Sequence, residues 1–301
     1  MSNLKELKNR ITSVKSTQKI TSAMKMVAAS RLKRAQEAAE AARPYAERMG
    51  RMMTSVLENP GSIVGGNKLL SGTGSEVVHL IVVVTSDRGL CGGFNSSISR
   101  ESRRHIRDLK AESKNVKVLC VGRKGRDQLK LEFGDAILDT YEGIGKTGIK
   151  FDEAQGISGK IIEMFDAGEF DICTIIYNRF VSVISQEVTS SQIIPVRLPE
   201  DDVAKAKNES SGDADVTASF EFEPSEEEIL TYLLPSNLNV QIFRALLESS
   251  ASEHGARMSA MDNATRNAGD MIDDLSMIYN RSRQAKITSE LIEIISGAEA
   301  L

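Results

Sequence analysis

The residues best able to do chemistry cluster in one short stretch, Thr85-Ser86-Asp87-Arg88-Gly89-Leu90-Cys91-Gly92-Gly93. It follows the apolar run 77–85, which reads as a buried strand, so it stands at a strand's carboxyl end, where sheets of alternating α/β chains hold their ligands. The glycines do not spell GxGxxG, and Asp87 and Arg88 are equally able to pair across a tight turn or to dock on a partner. Gly145-Lys146-Thr147 matches the end of a phosphate loop, but Thr140 stands where that loop needs its first glycine, and no helix pattern begins at Thr147. Cys91, flanked by glycines, is a conceivable nucleophile, yet no residue marks its base. His79, His105 and His254 have no metal-ligand spacing, and the acids are scattered. Together these residues specify no reaction, and neither a metal nor a cofactor is expected.

The elements that must carry them follow from pattern. Residues 3–57 read as one long helix, and residues 236–301 contain no proline. At about 1.5 Å of rise per residue, helices of this length would span roughly 80 to 100 Å, more than a compact domain needs. Along the first, Leu4, Leu7, Ile11 and Val14 step by three and four residues. The seam then passes through polar Gln18 and Thr21 and continues as Ala28, Leu32, Ala35, Ala39 and Ala42. Along the second, Ala268, Met271, Leu275, Ile278, Ser282 and Ala285 keep the alternation, and Leu291, Ile294 and Ala298 extend an apolar face. Helices at opposite ends of one chain, joined through a folded block, can pair antiparallel. Pro44 and Pro235 are expected to kink or loosen them. Pro60-Gly61 ends the first, and Pro224 with Glu226 to Glu228 starts the second, its acids lying at the positive helix terminus.

Between them, strand patterns at 77–85, 115–121 and 136–141 alternate with helix patterns at 94–110, 124–131 and 152–165, and strands at 171–180 and 185–196 close the block. This alternation predicts a mostly parallel sheet with helices on both faces. Residues 200–215 have the acidic composition of an exposed linker.

Charge is uneven along the 301 residues, whose net charge is −4. Nine bases against Glu6 give +8 over residues 1–34, and eleven acids against Lys205 and Lys207 give −9 over residues 200–230. A basic helix is usually a solvated face and is also the footprint of a nucleic-acid arm. The apolar stripe along this one, and its lack of aromatic residues for base stacking, weigh against the second use. With 5% aromatic residues, no Trp, and only Cys91, Cys120 and Cys173, the composition suits helices on narrow seams rather than a disulfide framework or a zinc site. No apolar run approaches the ~20 residues of a membrane span, and no secretory or transit pattern opens the sequence, so a membrane is expected to be reached only through partners.

Three stretches carry a resemblance. They are Leu7-Lys8-Asn9-Arg10-Ile11 leading into Thr17-Gln18-Lys19-Ile20-Thr21-Ser22-Ala23-Met24-Lys25-Met26-Val27-Ala28-Ala29-Ser30, the turn Ser86-Asp87-Arg88-Gly89-Leu90-Cys91-Gly92, and the tail Arg283-Gln284-Ala285-Lys286-Ile287-Thr288-Ser289-Glu290-Leu291 to Ile295-Ser296-Gly297-Ala298. In this order they resemble the gamma subunits of rotary F-type ATP synthases along nearly the whole chain. The tail fits that family's Ile-Thr-x-Glu, with Glu293 three residues on, then Gly-Ala.

The resemblance implies an α/β protein: a long antiparallel coiled coil of the N- and C-terminal helices with an inserted Rossmann-like α/β domain. Its expected divisions are a helix at 1–60, the α/β domain at 76–196, an acidic linker at 197–223 and a helix at 224–301. It implies a noncatalytic rotor shaft that needs no cofactor and couples proton-driven rotation of a membrane ring of c subunits to conformational cycling of catalytic beta subunits. The implied partners are the alpha and beta subunits, an epsilon subunit and the c-ring, with no nucleic acid and no direct membrane insertion. The implied place is the cytoplasmic side of a bacterial inner membrane. Carried over residue by residue, Arg283, Gln284, Thr288 and Glu290 match positions that bond to a loop of the beta subunit. Met24 and Lys25 match the region facing its acidic lever, and Asp87 and Arg88 the turn that approaches the catalytic ring. Leu291, Ile294, Ile295, Ala298 and Leu301 match an apolar tip held in a sleeve of alpha and beta subunits. Two other readings stand beside it: a nucleic-acid-binding coiled coil, and a nucleotide-dependent enzyme built on the central sheet.

Overall fold

The computed structural model describes residues 4–57, 67–183, 185–196 and 226–299. The expected stop at Pro60-Gly61, the acidic stretch 197–223 and Leu301 lie outside the described residues. In chain order the elements are α1 (Leu4–Leu57), α2 (Lys68–Ser71), β1 (Val78–Val84), α3 (Phe94–Ala111), β2 (Asn115–Val121) and α4 (Arg123–Phe133). They continue as β3 (Ile137–Tyr141), α5 (Phe151–Asp166), β4 (Ile172–Phe180), β5 (Gln186–Ile194) and α6 (Glu226–Glu299). The chain divides into two compact units, one made of Met1–Ala29 with Arg257–Leu301, the other of Ser30–Ala256.

The second unit is built on a five-stranded sheet in the order β3-β2-β1-β4-β5. β1 pairs in parallel with both β2 and β4, β2 with β3, and only the β4–β5 pair is antiparallel. β1 is central, and its sequence Val-His-Leu-Ile-Val-Val-Val is nearly all buried because both faces are covered. Its alternate residues divide between two cores. Leu80, Val82 and Val84 join Ala154, Ile157 and Ile161 of α5, Leu234, Leu238 and Ile242 of α6, and Met49 and Met53 of α1. On the opposite face Ile81 and Val83 join Ile98 and Ile106 of α3 and Leu129 and Phe133 of α4. Small residues let α6 approach the sheet: Ser252 Oγ donates to the Asn178 carbonyl at 3.0 Å, and a Cβ on Gly255 would stand 3.4 Å from the Phe180 ring.

Pro44 and Pro235 do not interrupt their helices, since α1 and α6 each continue through the proline. Apolar burial nearby offsets the lost backbone bond: Met49 and Met53 are buried beyond Pro44, and Leu233, Leu234 and Leu238 flank Pro235.

In the first unit the two helices pair antiparallel. Thr265 Oγ1 donates to Thr21 Oγ1 at 2.8 Å, Lys25 Nζ meets the Asp262 carboxylate at 2.5 Å, and Gly269 faces the Gln18 amide. Leu7, Thr21 and Ala28 are buried on α1, as the heptad spacing predicts. On α6 the seam differs from expectation. Met261, Ala268 and Leu275 are buried and Ile272 and Tyr279 half-buried, while Met271 and Ile278 are 47% and 49% exposed. The two series share Ala268, Leu275 and Ser282; apolar residues stand on both sides of the slot, and the register with α1 selects the four-three step.

Candidate functional site

Two surfaces carry the residues singled out by sequence, one in each unit.

The first is the end of α6. Because residue 18 faces 269, 21 faces 265 and 25 faces 262, Leu4 comes level with Ser282 and Arg283. Burial follows that register: Ser282 is half-buried, and every residue from 283 to 298 is exposed. Among them, Ile287, Leu291, Ile294 and Ile295 are 48%, 53%, 68% and 57% exposed. With Ala298 they repeat at i, i+4, i+7, i+8 and i+11, which is one stripe of an amphipathic helix. Full burial of an Ile or Leu side chain is worth about 1.5–3 kcal/mol, and within the unit this stripe realises little of it. Beside it lie the polar residues Arg283, Gln284, Thr288 and Glu290, all exposed. Thr288 Oγ1 donates to the Gln284 carbonyl at 3.0 Å, and Glu290 stands 3.6 Å from Lys286, so local contacts leave their outward faces available. Met24 and Lys25 are half-buried on α1. Lys25 is engaged within the unit: hydrogen bonding from its ammonium, aided by Arg266, holds the Asp262 carboxyl below the ordinary carboxylate range.

The second surface is the carboxyl edge of the sheet. Here Asp87 does not pair with Arg88. Its Oδ1 accepts from the Arg123 amide at 3.0 Å, at the first turn of α4, and its Oδ2 accepts from the Gly143 amide at 2.7 Å, in the loop after β3. Thr85 Oγ1 accepts from the Gly125 amide at 2.8 Å, and the Ser86 carbonyl accepts from the Lys124 amide at 3.1 Å. The free N–H groups of α4 are thus capped from the loop after β1. Gly122 makes this approach possible: its φ is +101°, and a Cβ there would lie 2.3 Å from the Thr85 carbonyl oxygen.

The turn itself is laced internally. Ser86 Oγ donates to the Arg88 carbonyl at 2.6 Å, the Ser86 amide donates to Asn95 Oδ1 at 3.0 Å, and Asn95 Nδ2 reaches Cys91 Sγ at 3.1 Å. Cys91 is buried and serves this lacing. Burial pushes the Cys120 thiol up to about 12 and raises that of Cys173 further, so both stay protonated and unreactive. What remains outside is Arg88, exposed, and Leu90, 65% exposed at φ +64°.

The Gly145-Lys146-Thr147 loop is answered in the same manner. α5 begins at Phe151, not at Thr147, and the Gly145 and Lys150 amides donate to Glu153 Oε1 and Oε2 at 3.0 and 2.9 Å. Amides that face phosphate in nucleotide-binding folds are here satisfied by the chain's own carboxylates. A cleft of about 410 Å³ opens beside them, lined by Arg31, Arg88, Arg123 and Lys146 together with Asp87, Glu142 and Glu253. Charges of both signs line it, which suits a protein surface better than a polyphosphate. No group of His, Cys, Asp or Glu among the described residues is arranged to hold a metal ion. Thr85 was already part of the stretch singled out by sequence, whereas Asn95, Gly143 and Glu153 were not legible as parts of this site. The only local signal was glycine at 143, where φ is +83°.

The ATP synthase family profile matches residues 3–301. The ATP synthase gamma chain of Rhodospirillum rubrum is 58% identical over 301 residues, covering all of both chains, and that of Parvibaculum lavamentivorans is 58% identical over 302 residues with the same coverage. Among solved structures, a chain in the central stalk and c-ring of the Tetrahymena thermophila mitochondrial ATP synthase is 31% identical with a TM-score of 0.58, matching 81% of this chain and 99% of that one. A chain from the Euglena gracilis mitochondrial ATP synthase shares the fold, with a TM-score of 0.65 at 20% identity over 99% of this chain and 94% of that one.

Proposed function

Because the chain belongs to the ATP synthase gamma-chain family, we propose that it is the central rotor shaft of an F-type ATP synthase, noncatalytic in itself. The observation that carries this reading is a full-length match combined with an apolar helical stripe, 287–298, that the described chain leaves uncovered. A surface of that kind needs a sleeve. Leu291, Ile294, Ile295 and Ala298 are its apolar tip among the alpha and beta subunits, with Leu301 as its last member. Arg283, Gln284, Thr288 and Glu290 form a polar catch for a loop of the beta subunit; exposed charge-assisted bonds can make and break as the shaft turns. Met24 and the Lys25–Asp262 pair meet the beta-subunit lever, and the turn at Arg88 and Leu90 is a second docking point.

One asymmetric shaft facing three equivalent catalytic sites makes different contacts with each, and that difference in contact free energy holds each site in a different state. Rotation driven by the c-ring then cycles the sites through binding, synthesis and release, with the epsilon subunit turning alongside. Internal satisfaction of the sheet-edge amides supports this over the nucleotide-enzyme reading. No described helix is long and apolar enough to cross a membrane, which fits peripheral attachment through the c-ring on the cytoplasmic side of a bacterial inner membrane. The test is reconstitution: the chain mixed with alpha, beta and epsilon subunits should assemble stoichiometrically and restore ATPase activity, while the chain alone should hydrolyse no ATP. Failure to co-assemble defeats the proposal.

A further inference from the structure

We infer that Asp87 is a positioning residue of the coupling surface rather than one of its contacts: its carboxylate locks the loops after β1, β2 and β3 together so that Arg88 and Leu90 are displayed at a fixed place. This rests on the reading of the turn as a docking point. Both oxygens are already spoken for, Oδ1 by the Arg123 amide at 3.0 Å and Oδ2 by the Gly143 amide at 2.7 Å. Those donors stand 36 and 56 residues away in sequence and belong to different loops, so one side chain sets the spacing of three strand ends. An ionised carboxylate accepting two backbone N–H bonds makes charge-assisted bonds at each, and one of them sits at the positive terminus of α4.

A second set of bonds grips the chain just beyond. Ser86 Oγ and Asn95 Nδ2 donate to the Arg88 carbonyl at 2.6 and 3.3 Å, and the Ser86 amide donates to Asn95 at 3.0 Å. Together these bonds fix residue 87 and the Arg88 carbonyl at the base of the turn, while the Arg88 and Leu90 side chains stay exposed. Leu90 takes φ +64°, a conformation that a leucine keeps only where its surroundings impose it. Exposure of an arginine and a leucine on such a braced turn is the form of a rigid docking knob. Asp87, 87–143 bond and all, belongs to its mounting.

The test compares Asp87→Ala, the volume-preserving Asp87→Asn, and Arg88→Ala with Leu90→Ala, singly and combined. In the full-length chain, hydrogen exchange at the Arg123 and Gly143 amides should speed by about tenfold or more in Asp87→Ala, with β1 amides unchanged. In the assembled, membrane-bound complex, ATP synthesis should fall about tenfold in Asp87→Ala, and adding it to the Arg88→Ala Leu90→Ala background should change the rate less than twofold, since residues acting as one unit are not additive. Asp87→Asn keeps one acceptor and should fall between; it also serves if the alanine variant does not fold. Fully additive losses, or a wild-type rate in both Asp87 variants while Arg88→Ala Leu90→Ala is impaired, overturn the positioning role alone. A wild-type rate in Arg88→Ala Leu90→Ala removes the docking point and the inference with it.

Discussion

The sheet edge and the tail of α6 handle unsatisfied surface in opposite ways. At the edge, amide donors at 123, 125, 143, 145 and 150 each find an acceptor within the chain. Along residues 283–298 nothing is buried, and five large apolar side chains, Ile287, Leu291, Ile292, Ile294 and Ile295, remain about half exposed or more. An edge that answers its own donors has little left for a small ligand, whereas a tail that buries nothing is complete only against another molecule. On the function proposed above, the difference separates residues that hold the protein in shape from residues offered to its partners. Stability and assembly should therefore be separable by mutation.

The largest effect should come from the edge. Gly122→Ala places a Cβ 2.3 Å from the Thr85 carbonyl oxygen on a backbone with φ +101°. Strain at a glycine-only conformation together with forced displacement of packed backbone should cost roughly 3–5 kcal/mol. Denaturant unfolding of the full chain should show a midpoint lowered accordingly, and a midpoint within error of the wild type would mean that the α4 cap is not held as tightly as the contact implies.

A smaller effect, spread over pH, bears on the same contrast, because His79, His105 and Asp171 belong to the second unit, whereas Asp262 of the first adds only on the acid side. His79 and His105 are held below the ordinary 6.5 by burial first, with nearby charges adjusting the result. They stay neutral to lower pH in the fold than in the unfolded chain, so as pH falls through 6.5 the unfolded chain takes up protons first and stability declines. Asp171 is pushed up by partial desolvation, but hydrogen bonds from Thr73, Val78 and Val77 outweigh that and leave its carboxyl below the ordinary 3.8. Its contribution is present above 3.8 and is lost as pH falls through the lower folded value. Thermal melting from pH 8 down to pH 3 should show a first decline beginning near 6.5 and a second below about 4. Asp171→Asn should flatten only the second; an unchanged profile in that variant would remove Asp171 as its source.

What could be read in advance follows the same division. Strands β1 and β2 were legible because burial on both faces requires continuous apolar runs, and the alternation with helices was enough to give a parallel sheet. The antiparallel pairing of α1 and α6 was legible from two heptad seams on either side of one folded block. Illegible were the choices that depend on register across the fold. Met271 and Ile272 are equally apolar, and only the position of α1 decides which faces in. Lys25 reads as a free base until Asp262, far along the chain, comes opposite. Asp87 has Arg88 as its neighbour in sequence, yet its partners are amides that no side-chain pattern announces. Periodicity reports burial one element at a time, whereas polar satisfaction is settled only after the elements meet.

The smallest effect on stability should come from the tail, and its smallness is the informative part. Replacing Leu291, Ile294 and Ile295 by Ser removes apolar groups that are 53%, 68% and 57% exposed in the chain. Surface substitutions of this kind usually move stability by no more than about 0.5 kcal/mol each, so the isolated chain should melt almost where the wild type does. In the assembled complex those side chains would be covered, and each burial then contributes up to about 1.5–3 kcal/mol. The triple variant should bind the alpha and beta subunits more weakly, with the gain in dissociation rate visible when the complex is diluted. A triple variant that melts far below the wild type would mean that the stripe is buried within the chain after all. One that melts normally and holds the complex as tightly as the wild type would leave the stripe without a sleeve, and the contrast between edge and tail would reduce to a difference in burial alone.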